Sequence, residues 1–233
     1  MRGFDSRPGL KLTLGGWSRI VPEEKEALMI NTDRVAVISE HYDQFALRDA
    51  ESPHWLDSFT YGVLTNMTGA CAILEIGCGN GRAIPVFEQF RDRSTNHARN
   101  LTYTGIDCSK KSLDVARKLY HGYSFIEGDG FRVSEYFPEQ RFDMVWLGAV
   151  LMIYSPKEAR LLLQEVRKVL TNEAVGFVSV PYGEGTYHPP TLPENVQYHR
   201  YNADAMEYIL GDLYEPIEAR VSGGMLLVTF RVK

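Results

Sequence analysis

From residue 71 onward the chain alternates between short runs of consecutive apolar residues and longer stretches in which apolar positions recur every third or fourth residue. The first pattern suits strands covered on both faces, and the second suits helices that lay one face on a sheet. Strands are therefore expected at 71–76, 101–106, 123–127, 143–147 and 174–180, with helices at 81–90, 109–120, 156–170 and 203–210. Ser109 is placed to cap the second helix, and Ser155-Pro156-Lys157-Glu158 is a capping box with proline at the first helical position. Leu161, Leu162, Val166, Val169 and Leu170 give that helix one apolar stripe. In the tail, residues 216–221 and the apolar run 225–232 flank Gly223-Gly224, a hairpin turn signal. The polar stretch 91–100 reads as a loop.

Before residue 71 the pattern is weaker. Pro8, Gly9, Gly15, Gly16 and Pro22 interrupt every apolar period in the first 35 or so residues, which read as an arm or partial lid. Residues 33–68 look mostly helical, with a break at Pro53. The alternation predicts an α/β fold: a doubly wound, mostly parallel seven-stranded sheet with helices on both faces, a C-terminal antiparallel hairpin strand and a helical N-terminal lid. Residues 1–68 would form the arm and lid and 69–233 the core, with a substrate-loop insertion at about 182–201.

Composition narrows the function. A formal net charge of −5 at 233 residues argues against a nucleic-acid partner, because Lys110-Lys111 and the other short basic groups form no stripe able to displace phosphate counterions. No apolar run approaches bilayer length and the opening MRGFDSRPGLKL lacks the apolar core of a secretory signal, so a cytoplasmic location without a membrane partner is expected. Cys71, Cys78 and Cys108 form no CxxC pair and are expected as free thiols, with no metal.

The segment ILEIGCGNGRA, residues 73–83, runs from a strand through a glycine-rich turn into a helix. Ligands of open α/β sheets bind at the carboxyl ends of strands where the strand order reverses, so this turn should line a crevice. A dinucleotide fingerprint needs glycine at its first, third and sixth positions, but after Gly77 and Gly79 the sixth is Arg82. Glu75, two residues before the first glycine, would repel a pyrophosphate and attract a cationic ligand. A nucleotide-dependent oxidoreductase is thereby disfavoured.

Glu75, Gly77, Gly79 and Gly81 resemble the first motif, acidic-x-Gly-x-Gly-x-Gly, of the class I S-adenosylmethionine-dependent methyltransferases, a Rossmann-like family. The resemblance implies that Gly77, Cys78 and Gly79 run along the amino acid end of the cofactor and that Glu75 helps organise its ammonium. Asp107, followed by Cys108, stands where the family has an acid that accepts from both ribose hydroxyls. It lies 30 residues after Gly77, against ~20 in dinucleotide folds, and the loop at 91–100 accounts for the excess. Gly128-Asp129-Gly130 resembles the family's adenine-binding turn, and Leu147-Gly148-Ala149 the segment that passes the sulfonium. Asp143, at the far end of that strand, reads as structural. The resemblance covers about residues 70–233 and implies S-adenosylmethionine as cofactor and S-adenosylhomocysteine as product.

Acceptor recognition leaves a fainter trace. The stretch 182–201 holds Tyr182, Tyr187, His188, Tyr198, His199 and Tyr201, a content that suits a pocket wall. His41-Tyr42 and His54-Trp55 lie on helices able to close over the cofactor. The candidate acceptor-binding residues are Tyr42, Trp55, Tyr154, Tyr182 and Tyr187, and the candidate bases are His188, His41 and His54; for each of these, packing or surface exposure is the competing explanation. The expected reaction is methyl transfer to an oxygen or nitrogen nucleophile of a small organic molecule. A protein acceptor and a non-catalytic, S-adenosylmethionine-binding regulatory protein are the competing readings, and the sequence says nothing about oligomeric state.

Overall fold

The computed structural model describes residues 32–43, 71–93, 101–189 and 196–233. Seven strands form one sheet: β1 (Ala72–Ile76), β2 (Thr102–Asp107), β3 (Ser124–Glu127), β4 (Phe142–Gly148), β5 (Leu170–Pro181), β8 (Tyr214–Ser222) and β9 (Met225–Val232). Their order is β3-β2-β1-β4-β5-β9-β8. The first five are parallel, and β9 enters antiparallel between β5 and β8. Two further strands, β6 (Thr186–Tyr187) and β7 (Tyr198–His199), pair as a separate small ribbon within the expected substrate loop.

Helices α2 (Ile84–Arg93) and α3 (Lys110–Leu119) cover one face, where Phe87 and Leu113 pack with Ile73, Trp146 and Phe177. On the other, Leu162 and Val166 of α5 (Pro156–Arg167) and Met206 and Ile209 of α6 (Ala203–Leu210) pack with Leu74, Ile76 and Val145. The short α4 (Val133–Tyr136) adds Val133 to this second layer. Helix α1 (Thr32–Asp43) docks on the start of α3: Ser39 Oγ donates to the Cys108 carbonyl at 2.8 Å, and the Asp43 carboxylate accepts from Ser109 Oγ at 2.7 Å and Lys111 N at 3.2 Å. The remainder of the expected arm and lid lies outside the described residues.

Both caps form as the sequence predicts. Ser109 accepts from Ser112 N, and Ser155 and Glu158 bond each other's backbone N–H groups in a complete capping box. Asp143 is structural: its carboxylate accepts from Ala72 N at 2.9 Å, tying β4 to β1 at the end remote from the crevice. Several expected boundaries differ, three of them informatively. Helix α2 starts at Ile84 because Gly81, at φ +83°, has left-handed backbone that a helix cannot contain, and it runs through Arg93 into the expected loop. Helix α5 stops at Arg167, where Phe142 N bonds the Val169 carbonyl and Leu170 opens β5. The apolar spacing ran on to Leu170 because helix end, turn and strand start are buried in one layer. The 3₁₀ turns Gly130–Arg132 and Leu151–Ile153 carry no periodic signal long enough to read.

Candidate functional site

The order of strands reverses at β1: β2 and β3 lie to one side, β4 and β5 to the other. Connections leaving β1 and β4 therefore diverge and open a crevice at their carboxyl ends. The glycine turn forms its floor. Gly77 N and Cys78 N both donate to the Ile106 carbonyl of β2, at 2.8 and 3.1 Å. Gly77 has φ +71°, and a Cβ there would meet Val150 Cγ2 at 2.7 Å, so neither the backbone nor the space admits a side chain.

Asp107 locks this turn to β2. Its two carboxylate oxygens accept from Gly79 N and Ser109 N, each at 2.7 Å, which leaves lone pairs of both oxygens for a ligand. Burial raises its pKa, the bonds from Ser109 and Gly79 oppose the rise, and the nearby Asp43 charge adds to it. Glu75, one layer below, is buried and accepts from Tyr103 OH at 2.5 Å. Burial pushes its pKa up to about 8, Tyr103 and Arg82 working against the rise and Asp107 with it. Asp129 Oδ1 accepts from Phe131 N at 3.0 Å and caps the following 3₁₀ turn, while its second oxygen is available to a ligand donor. Three carboxyl groups thus line one cavity of about 520 Å³, a size ordinary for a small-molecule site.

Every expected cofactor residue lines this cavity except Leu147. Leu147 is fully buried in the layer under α5, because alternate residues of β4 face opposite ways and Gly148 is the one at the crevice. Ala149 follows with φ +58°, a left-handed conformation unusual for alanine, held by its N–H donating to the Ser179 carbonyl and hydroxyl at 3.0 and 2.9 Å.

His41, Tyr42 and Tyr154 also line the cavity, with Tyr198 of β7. The Tyr42 and Tyr198 hydroxyls are hydrogen-bonded at 3.1 Å, linking α1 to the substrate loop, and burial with the Tyr198 contact raises the Tyr42 pKa. His41 is buried with its ring edge-on to Tyr42. The other candidates from the loop do not line this cavity. Tyr182 is 41% exposed, and Tyr187 packs edge-on against Tyr198 and under the Arg200 guanidinium, one layer away from the cavity. His188 is exposed, with Nδ1 at 3.0 Å from the Val196 carbonyl. His54 and Trp55 lie outside the described residues. Tyr201 is structural, its hydroxyl donating to the Leu151 and Tyr154 carbonyls at 2.9 and 2.6 Å.

Among the lining residues that sequence reasoning did not select as site residues are Asn80, Arg82, Trp146 and Met152. Arg82 and Asn80 were legible as members of the glycine turn itself. Trp146 and Met152 sit in an apolar run with no alternation to say which of them faces a ligand.

A cationic, hydroxyl-bearing and amine-bearing ligand matches this set of acceptors: carboxylates stand ready for its donors, and the Gly77 turn leaves room for close backbone approach. Residues 73–173 match a family model described as a methyltransferase domain. No curated protein matches the sequence. Among solved structures, a protein of Pyrococcus horikoshii OT3 is similar at 16% identity and TM-score 0.61, over 79% of this chain and 94% of that one. A SAM-dependent methyltransferase of Methanosarcina mazei is similar at 16% identity and TM-score 0.59, over 76% and 99%. The magnesium protoporphyrin IX methyltransferase of Synechocystis PCC 6803, with bound SAM, is similar at 15% identity and TM-score 0.52, over 91% and 87%. These likenesses speak to the fold, and the matched domain spans the glycine turn, Asp107 and Asp129. Residues 73–173 therefore resemble a methyltransferase domain, and the fold is that of the solved SAM-dependent methyltransferases.

Proposed function

We propose that the chain transfers the methyl group of S-adenosylmethionine to an oxygen or nitrogen nucleophile of a small organic molecule. The observation that carries this reading is the single cavity in which Glu75, Asp107 and Asp129 stand in the family's order along the ends of β1, β2 and β3, with His41, Tyr42, Tyr154 and Tyr198 completing the wall. When bound, the cofactor supplies a methyl group already activated by its sulfonium. The protein's share is alignment: Asp107 fixes the ribose through its spare lone pairs, Asp129 takes the adenine amine, and the backbone of Gly77–Gly79 and Gly148 defines the path to the acceptor. Holding donor and acceptor in line at near-attack distance accounts for most of the acceleration such a transfer requires. A hydroxyl acceptor would have to lose its proton as it takes the methyl group. Among the expected bases, His41 lines the cavity and is placed to take that proton from a hydroxyl acceptor.

Residues 1–68 are proposed as the segment that closes over the cofactor, with α1 as its docked part. Ser39 and Asp43 bond the turn that follows Asp107, so the helix and the ribose site share a support.

The test is calorimetric titration with S-adenosylmethionine, S-adenosylhomocysteine and NAD. The natural chain should bind the first two and not the third, and Asp107→Ala should abolish binding. Binding unaffected by Asp107→Ala would sink the site assignment. Formation of S-adenosylhomocysteine only on addition of small-molecule acceptors separates an enzyme from a regulatory binder.

A further inference from the structure

Trp146 of β4 pairs with Glu75 of β1 in the parallel register, and the two lie on the same face of the sheet. Its ring is held on two sides, stacked on Phe177 at 3.9 Å between centroids and edge-on to Phe87 at 5.2 Å. The side chain is fully buried, yet among the described residues its indole Nε1–H has no hydrogen-bond partner. A buried donor left unpaired costs free energy, and natural folds rarely carry one without a reason.

The position of the nitrogen supplies the reason. A Cβ built on Gly148 would lie 2.8 Å from Nε1, so the N–H sits where β4 opens into the crevice, and Trp146 lines the cavity together with Glu75, Asn80 and Arg82. An indole N–H only donates, so its missing partner is an acceptor. Here the inference rests on the cofactor reading above. The ammonium and carboxylate of an amino acid share one carbon; if the ammonium faces Glu75, the carboxylate falls within a few ångströms of it. Adjacent strands lie about 4.8 Å apart. The side chain one strand over from Glu75, in register and on the same face, is Trp146.

We propose that Trp146 is a binding residue for the cofactor's amino acid, its Nε1–H donating to the carboxylate. Arg82, close enough to Glu75 to act on its charge, supplies the positive potential that lets a carboxylate enter a cavity already holding three acids.

The experiment compares S-adenosylhomocysteine with S-adenosyl-3-thiopropylamine, the same molecule without its carboxylate, on the natural chain and on Trp146→Phe, which keeps an aromatic ring between Phe177 and Phe87. A hydrogen bond to a charged group predicts that the substitution weakens S-adenosylhomocysteine about tenfold or more and the amine analogue less than about twofold. In ¹⁵N-labelled natural protein, the indole resonance missing from Trp146→Phe should shift on adding S-adenosylhomocysteine and stay in place with the analogue. Equal weakening of both ligands, or an indole resonance indifferent to the carboxylate, overturns the proposal while leaving the cofactor reading intact. Failure of the natural chain to bind either ligand overturns both.

Discussion

Replacing Glu75 by glutamine tests the electrostatics of the crevice from two directions. Burial lifts this carboxyl from its ordinary 4.5 to about 8. The folded chain therefore holds a proton that the unfolded chain releases, and between these two pH values unfolding liberates it. Stability contributed at this position is full below about pH 4.5 and is lost as pH rises through about 8, at about 1.4 kcal/mol per pH unit, roughly 5 kcal/mol in all. Glutamine does not titrate, and its amide oxygen can still accept from Tyr103 OH. Denaturant titrations across the range should show Glu75→Gln gaining on the natural chain by roughly 4 kcal/mol between about pH 5 and about pH 8. The ligand reads the same group with the opposite sign. A bound ammonium favours the carboxylate, so cofactor affinity should strengthen as pH rises toward 8, and binding below that pH should release a proton. Calorimetry in buffers of different ionisation enthalpy counts that proton, and Glu75→Gln should release none and bind more weakly. Stability curves that run parallel would refute the burial argument; undiminished proton release would place the ammonium elsewhere.

Gly77→Ala imposes a left-handed conformation on alanine and drives its Cβ to 2.7 Å from Val150, so a loss of about 2–5 kcal/mol in unfolding free energy is expected, measurable by denaturant titration. Asp43→Ala removes the acceptor that joins α1 to Ser109 and Lys111; it should cost about 1 kcal/mol and speed hydrogen exchange in α1, with a parallel fall in S-adenosylhomocysteine affinity. Exchange unchanged in α1 would show that its docking does not depend on this carboxylate.

What the sequence discloses about this protein depends on how local the determining physics is. The capping box at Ser155–Glu158 and the turn between β8 and β9 are decided within a few residues, and both form where the sequence places them. The glycine turn and Asp107 are local too, and the hydrogen bond from Gly79 N joins them directly. Along residues 142–148, every position is apolar but Asp143 and Gly148, because β4 is covered on both faces; alternation then gives no sign that Leu147 faces α5 while Trp146 faces the cavity. In the substrate loop the aromatic content was visible, but choosing Tyr198 over Tyr187 required the cross-strand pairing of β6 with β7, a partnership between residues about ten apart that no local pattern encodes.

The placement of β9 has a bearing on how the chain reaches this state. β8 touches the rest of the sheet only through β9, and β9 is the partner of the apolar run Phe177–Val180 on β5. Until residues 225–232 are in place, that edge of β5 presents unpaired backbone and β8 has nothing to join. The parallel half around the cofactor turn is built from βαβ units, whereas the other half is joined only through the β5–β9 and β8–β9 pairings among the described residues. Before β9 docks, the open β5 edge is the surface on which two chains would pair with each other. Conditions that slow the docking of β9, more than those that disturb the crevice, should decide how much of the protein is recovered soluble.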